Sequence, residues 1–363
     1  MIKRNLRLIL FYFVFSVLTA CQSKDDQDGP EVEIWHGLNQ KVGHLGTAQD
    51  DFNLMGKVMP ADSIASLTYR INNSPDNQLN FGQATPGFRR LAELGHFNAD
   101  VQIADLQTGE NTITITATDK KGKQTNQKVV IDRQSGSYPL SVQIDWNKIT
   151  DPQNVGQYVD GFWEVEPDGL RTRHMGYDRI FLIGEKSWQD YEITLSLIIN
   201  QVSETTSPVS GGNGLGILFR FSGHIIGGHR NFPKAQPKWG YQPFGAITWL
   251  RWDLDESQNL PSKEFYRGDN NNTKNHGQFP VQPGVKLWMK AKCQTLPDND
   301  DGDGVSVYSY MIWRDEEKEP AQWDWQETQV SKYANRNGGV ALLAHHVDVT
   351  FGNIWISNVV SSK

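Results

Sequence analysis

Aromatic and cationic side chains alternate along three segments of this sequence in a pattern that suits sugar recognition. In Phe244 to Asp253, the residues Ile247, Trp249, Arg251 and Asp253 share one parity, and Thr248, Leu250 and Trp252 share the other. Successive strand residues point to opposite faces, so the first set puts a ring beside a charge pair on one surface. The same argument turns Ile217, Phe219 and Phe221 toward a core and leaves Arg220 opposite, while Trp288, Lys290 and Lys292 oppose Leu287, Met289, Ala291 and Cys293. If these strands are neighbours, Arg220, Trp249, Arg251, Trp288 and Lys290 line one concave sheet, and cations beside rings suit an acidic or sulfated polysaccharide. The bland alternative is a solvated outer face with no ligand. Trp239 and Tyr241 lie in the Gly- and Pro-rich stretch that follows Gly211, and loops carried by a rigid sheet are where binding usually resides. Of the 12 Trp, Trp35 alone precedes Trp146. Stacking on a pyranose and filling a wide two-sheet core would both use such a distribution.

One segment has the composition of a metal loop. Asn299, Asp301 and Asp303, with Gly304, fit the start of a calcium loop, in which oxygens at alternate positions wrap a hard cation. An EF-hand would place Glu at the position that Tyr310 occupies, so the motif is incomplete, and the alternative is a solvated acidic turn. Ca2+ is the one cofactor the sequence implies. No pair of His has the spacing of a helical zinc site, and His345 and His346, as strand neighbours, should point to opposite faces, which argues against zinc.

The first residues read as an export signal. Lys3, Arg4 and Arg7 precede an apolar run from Leu8 to Val17, too short for a permanent span. The following Leu18-Thr19-Ala20-Cys21 resembles the lipobox of bacterial lipoproteins. That resemblance implies a signal peptide over residues 1–20, cleavage before Cys21 and lipidation of its thiol. Residues 21–30 are polar, acidic and free of aromatic residues, as a flexible tether would be. Gln22 is not the Asp that usually signals inner-membrane retention, and the acidic stretch resembles the surface-export signal of Bacteroidetes-type lipoproteins. The expected location is therefore the outer membrane or cell surface of a Gram-negative bacterium. The formal charge of −7 becomes −10 once Lys3, Arg4 and Arg7 leave with the signal. Such a protein has no general affinity for nucleic acid. With Cys21 acylated, Cys293 has no disulfide partner, and no later segment is apolar enough to span a membrane.

Positioning these residues falls to strands, and the expected fold class is all-β. Thr112 to Thr118 alternates Thr with Ile or Ala, Asp119 to Gly122 reads as a turn, and Lys128 to Ile131 as the return strand. The stretch Leu106 to Gly122 resembles the last hairpin of immunoglobulin-like and cadherin-like modules, implying a sandwich over residues 31–134 that serves as spacer or docking domain. Residues 135–139 form a linker, and residues 140–363 a second β domain. There, Ser187 to Glu192, Gly214 to Phe221 with Gly223-His224, Met311 to Trp313 with Glu319 to Trp323, and Gly338 to Leu342 with Val349 to Ile356 together resemble the concanavalin A-like or laminin-G-like lectins and glucanases. Gly352 stands where that family usually has Asp.

The resemblance implies a jelly-roll sandwich that binds carbohydrate. Sandwich glucanases carry their paired carboxylates on one strand, and Asp253-Leu254-Asp255-Glu256 lacks the leading Glu of that motif, since Arg251 stands in its place. A polysaccharide lyase of this architecture needs a cation and a His or Tyr base, for which His224, Tyr241 and Arg251 are the candidates. Three classes therefore stay open: a glycan-binding surface lipoprotein, a polysaccharide lyase or hydrolase using the same face, and an adhesion protein with no sugar site.

Overall fold

The computed structural model describes residues 29–82, 89–204, 212–225, 236–238, 244–253, 259–269 and 273–359, and over them the chain is all-β. Cys21 and most of the tether lie outside the described residues, as do Trp239 and Tyr241. Among the described residues no helix is long and apolar enough to cross a membrane.

The N-terminal part supplies β1 (Glu31–Ile34), β2 (Asn39–Val42), β3 (Asp51–Met59), β4 (Ile64–Ile71), β5 (Asn77–Leu79), β6 (His96–Gln102), β7 (Gly109–Asp119) and β8 (Gln124–Arg133). Among the described residues these form two sheets, ordered β1-β3-β6 and β2-β8-β7-β4-β5. The Thr–Ile alternation of β7 acts as its period requires: Ile113, Ile115 and Ala117 are fully buried and share a core with Leu67, Val129 and Ile131. Each isoleucine withdrawn from water contributes roughly 1.5–3 kcal/mol. At the turn, the Asp119 carboxylate accepts the amides of Lys121 and Lys123, which closes the β7–β8 hairpin.

The C-terminal part adds β9 (Val142–Ile144), β10 (Gln157–Asp160), β11 (Trp163–Glu166), β12 (Gly169–Thr172), β13 (Arg179–Ile183), β14 (Tyr191–Val202), β15 (Asn213–Phe221) and β16 (Ala246–Trp252). It continues with β17 (Ser262–Arg267), β18 (Thr273–Gln278), β19 (Lys286–Leu296), β20 (Gly304–Arg314), β21 (Trp325–Ser331), β22 (Gly339–His345) and β23 (Val347–Asn358). One sheet runs β10-β13-β22-β15-β16-β17-β18, and the other β11-β12-β23-β14-β19-β20-β21, with β9 beside β23. Ile217 and Phe219 of β15 and Leu250 and Trp252 of β16 share the larger core with Ile193 and Leu195 of β14 and Met289 of β19. Cys293 belongs to that core, where burial raises its thiol pKa and Sγ donates to the Gln189 carbonyl at 3.3 Å, so it is a packing residue. Gly352 leaves room for the Ser196 hydroxyl. A Cβ there would lie 2.1 Å from Ser196 Oγ, and its carbonyl accepts the Trp146 indole N–H at 2.9 Å.

Strand parity fails at Arg220. The β15–β22 register shifts between Phe219 and Phe221, and Arg220 has φ +54°. A bulge of this kind re-aims the side chains that follow it. Phe221 joins the apolar cluster on the outer face of the sheet, and the Arg220 side chain is wholly buried. It donates to the carbonyls of Gln189 (3.1 Å) and Asn335 (3.2 Å), to Ser306 Oγ (2.8 Å) and Thr295 Oγ1 (2.9 Å), and pairs with Asp190 at 3.2 Å. Arg220 is a structural cation, fully engaged by the fold.

The two pairs of sheets are locked together. Trp35 and Met55 from the N-terminal part join the core of the C-terminal sandwich. Arg90 donates to Asp160 Oδ1 at 2.7 Å and forks onto Asp100 at 2.8 and 2.9 Å. All three residues are at most 3% exposed. Asn98 donates to the Val159 carbonyl and Asp160, and Asn53 to Asp100. Lys238 pairs with Asp51 at 2.6 Å and gives its amide to Asp100. Burial works against the Asp160 carboxylate, but Arg90 and His224 hold it below the usual carboxylate range.

Candidate functional site

The richest group of polar and aromatic side chains stands on the outer face of the β10–β18 sheet. The register lays it out in two rows. In one, His345 of β22 and Arg251 of β16 flank Gly214 of β15, and Ser262 of β17 follows Arg251. In the other, Leu343 and Trp249 flank Gly216, and Glu264 follows Trp249. The two glycines make room for the indole. A Cβ on Gly214 would come within 2.6 Å of the Trp249 ring, and one on Gly216 within 2.5 Å of Trp249 Cβ. Trp249 thus reaches over β15 toward His345, with ring centroids 6.3 Å apart.

Charged groups surround that ring. The Arg251 guanidinium stands 4.8 Å from the Trp249 centroid and donates to the Asn213 carbonyl at 3.2 Å. Burial pulls Arg251 below the usual arginine range, with Glu264 and Asp253 opposing. His345 Nδ1 lies 2.7 Å from Asp178 Oδ1, so the carboxylate sets the ring's orientation. Tyr177 meets His345 edge-on at 4.8 Å, and Tyr266 lies 6.4 Å from Trp249. One buried polar atom beside Arg251 lacks a hydrogen-bond partner among the described residues: the Trp249 indole N–H. A buried donor left unmade costs about 1–3 kcal/mol, and a hydroxyl group could satisfy it.

The structure divides the residues that parity had placed on one surface. Trp249 and Arg251 stand together, and Arg220 is inside. Trp288 and Lys290 belong to β19, in the other sheet, because β16 and β19 lie on opposite layers of the sandwich. There Trp288 stacks with Trp313 of β20 at 6.2 Å and approaches Trp355 of β23 at 5.9 Å, with Trp355 39% exposed. This row offers rings but little spare charge. Lys290 is held by Glu192 at 3.0 Å and Glu319 at 2.9 Å, and Trp288 donates to Asp315. With Arg220 and Lys290 removed, the cations expected to serve an acidic polysaccharide are reduced to Arg251, which has Glu264 and Asp253 as electrostatic neighbours.

Other candidates take different positions. His224 pairs with Asp160 at 2.7 Å in the seam, where it supports the Arg90 network. Asn299 accepts the Asp303 amide at 2.7 Å through its own side chain, and Gly302 donates to its carbonyl, which describes a closed turn. The adjacent histidines do not point apart. His346, with φ +56°, turns the chain between β22 and β23, and the two rings meet at 4.5 Å.

Sequence reading weighs His345 only as a zinc ligand and does not single out Asp178, Glu264 or Tyr266. Glu264 and Tyr266 share the parity opposite buried Phe265, and that signal was available. The Asp178–His345 contact spans 167 residues, and nothing local announces it.

No protein-family model and no curated protein matches the chain. Among solved structures, an endo-β-1,4-mannanase from Thermotoga petrophila is 9% identical over 31% of this chain with a TM-score of 0.23. This chain spans only 21% of that mannanase. The exoplasmic/lumenal domain of VIP36, in a form bound to Ca2+ and Man3GlcNAc, is 7% identical over 61% of this chain and 92% of its own, with a TM-score of 0.36. A lectin from Bauhinia forficata in complex with GalNAc is 9% identical over 61% of this chain and 100% of its own, with a TM-score of 0.33.

Proposed function

We propose that this chain is an exported, Cys21-anchored surface protein that binds a polysaccharide on the outer face of the β10–β18 sheet. In this reading the sandwich over residues 31–134 is an immunoglobulin-like unit docked on a concanavalin A-like one. The observation that carries the reading is the unpaired indole N–H of Trp249, with the Arg251 guanidinium 4.8 Å from its ring centroid. A donor and a ring at one place, with a cation beside them, match a sugar's hydroxyls and apolar face. Because Glu264 and Asp253 offset Arg251, the favoured ligand is a neutral, hydroxyl-rich polysaccharide rather than a sulfated one.

Affinity electrophoresis of the purified chain through gels loaded with neutral or sulfated polysaccharides tests this. Retardation in at least one neutral gel, persisting at high salt, is expected. Retardation confined to sulfated gels and abolished by salt would overturn the ligand class, because ion pairs at an exposed surface are screened. For the anchor, Cys21→Ser should move the protein from the membrane to the soluble fraction of expressing cells. An unchanged distribution would remove the lipid from the account.

A second reading is favoured by the Asp178–His345 pair. A histidine oriented by a carboxylate 2.7 Å away, beside Tyr177 and Arg251, supplies the groups a lyase needs: a base and a cation to neutralise a uronate. New unsaturated-uronate absorbance on incubation with uronic-acid polymers, lost in His345→Gln, would favour this over simple binding.

A further inference from the structure

Glu93, His96 and His174 bring their ligand atoms within 4.8 Å of one another where the N-terminal part meets the C-terminal sandwich. Glu93 precedes β6, His96 is the first residue of β6, and His174 follows β12. Glu93 Oε2 lies 3.5 Å from His96 Nε2, and Glu93 Oε1 lies 3.2 Å from His174 Nδ1. A tetrahedral zinc ion with ligands at about 2.0–2.2 Å places neighbouring ligand atoms roughly 3.3 Å apart. The two glutamate–histidine separations, one to each carboxylate oxygen, bracket that value, and a small side-chain adjustment would bring all three ligand atoms, now within 4.8 Å of one another, to it.

The second observation is His96 itself. Its side chain is 1% exposed, and neither ring nitrogen has a hydrogen-bond partner among the described residues. A buried imidazole is normally fixed by a bond to at least one nitrogen, and an ion held on Nε2, the nitrogen that faces Glu93, would supply the bond the protein atoms do not. Aromatic residues wall the cluster. Trp35 meets His96 edge-on at 4.8 Å and stacks on His174 at 5.7 Å, and Phe162 stacks on both Trp35 and His174. Glu93, half exposed, and His174, 30% exposed, leave the opposite side open to a water ligand.

We propose that Glu93, His96 and His174 bind one zinc-class divalent ion, which ties the loop before β6 to the bend after β12 and clamps the two halves of the molecule. Two imidazoles and one carboxylate form a donor set typical of zinc, with solvent as the fourth ligand. Lys57 Nζ, 3.8 Å from Glu93 Oε2, is the cation the metal would displace, and its partly exposed side chain is free to move into solvent.

The test is metal titration of the purified, chelator-treated chain prepared without a histidine tag. Zinc alone should bind at one equivalent and raise the thermal unfolding midpoint, and Co2+ should give the visible absorption of a tetrahedral nitrogen–oxygen site. His174→Gln and Glu93→Gln alter partly exposed groups, so both should fold with an unchanged circular dichroism spectrum. Each should weaken zinc by more than the roughly 10–100-fold that disturbing an outer-shell partner costs. Failure of the wild-type chain to take up zinc, or uptake that both variants leave unchanged, would overturn the site. Should one variant not fold, the other decides.

Discussion

Arg90→Met should be among the most damaging single substitutions in the molecule, lowering stability by about 3–5 kcal/mol. Arg90, Asp100 and Asp160 are all buried in the seam, and the guanidinium is the cation that both carboxylates share. Removing it leaves two buried carboxylates short of their shared cation, and Asn98 and His224 can satisfy only part of Asp160. Urea unfolding at neutral pH checks this through the shift in midpoint. Replacing Arg90, Asp100 and Asp160 together with apolar residues should recover a substantial part of the loss, because the cost lies in breaking the network rather than in lacking it. A loss below about 1 kcal/mol for Arg90→Met, a value ordinary for an exposed ion pair, would mean that the seam is wet.

The second large effect concerns the sugar face. Arg251→Gln should weaken polysaccharide binding by about 2 kcal/mol or more, roughly thirtyfold, since tryptophan and arginine in desolvated pockets carry most binding energy. Trp249→Ala would confuse binding with folding, because the ring packs in the outer apolar cluster with Ile247 and Leu218, and truncating a buried tryptophan costs about 3–5 kcal/mol. Trp249→Phe is the cleaner change. It keeps a ring above Gly214 and Gly216 and deletes the N–H that lacks a partner. Folding should then be nearly unaffected, while affinity falls by the one hydrogen bond lost, about 0.5–1.5 kcal/mol.

How much of this was legible depends on period and distance. Strands with one face in the core declare themselves by alternation, and β7, β14 and β19 lie where period two puts them. Strands covered on both sides do not. Every residue of β13 is buried, and β3 and β6 are almost as uniformly so, which leaves no alternation to read. Parity assigned Trp249 and Arg251 to one face because β16 is regular through them. The same rule misplaced Arg220, since a bulge adds a residue without leaving a mark in composition.

Parity also says which face of a strand a residue takes, never which sheet holds the strand. That is why Trp288 and Lys290 were grouped with residues on the other side of the sandwich. The contacts that assemble Asp178 with His345, or Glu93 and His96 with His174, join segments far apart in the chain. They exist only once the strand order is known. Trp35 was visible as the one early tryptophan, and the structure gives it a place in the larger core, where it holds the halves together.

The central claim is that a polysaccharide binds around Trp249 and Arg251, and the second row of rings on the opposite sheet makes it directly testable. Isothermal titration of the retained polysaccharide into the wild-type chain, Arg251→Gln, and the double variant Trp288→Ala/Trp355→Ala separates them. The account predicts that Arg251→Gln loses roughly thirtyfold in affinity while the double variant binds as the wild type does. Undiminished binding by Arg251→Gln together with loss in the double variant would place the sugar on the tryptophan row of the opposite sheet and contradict the account.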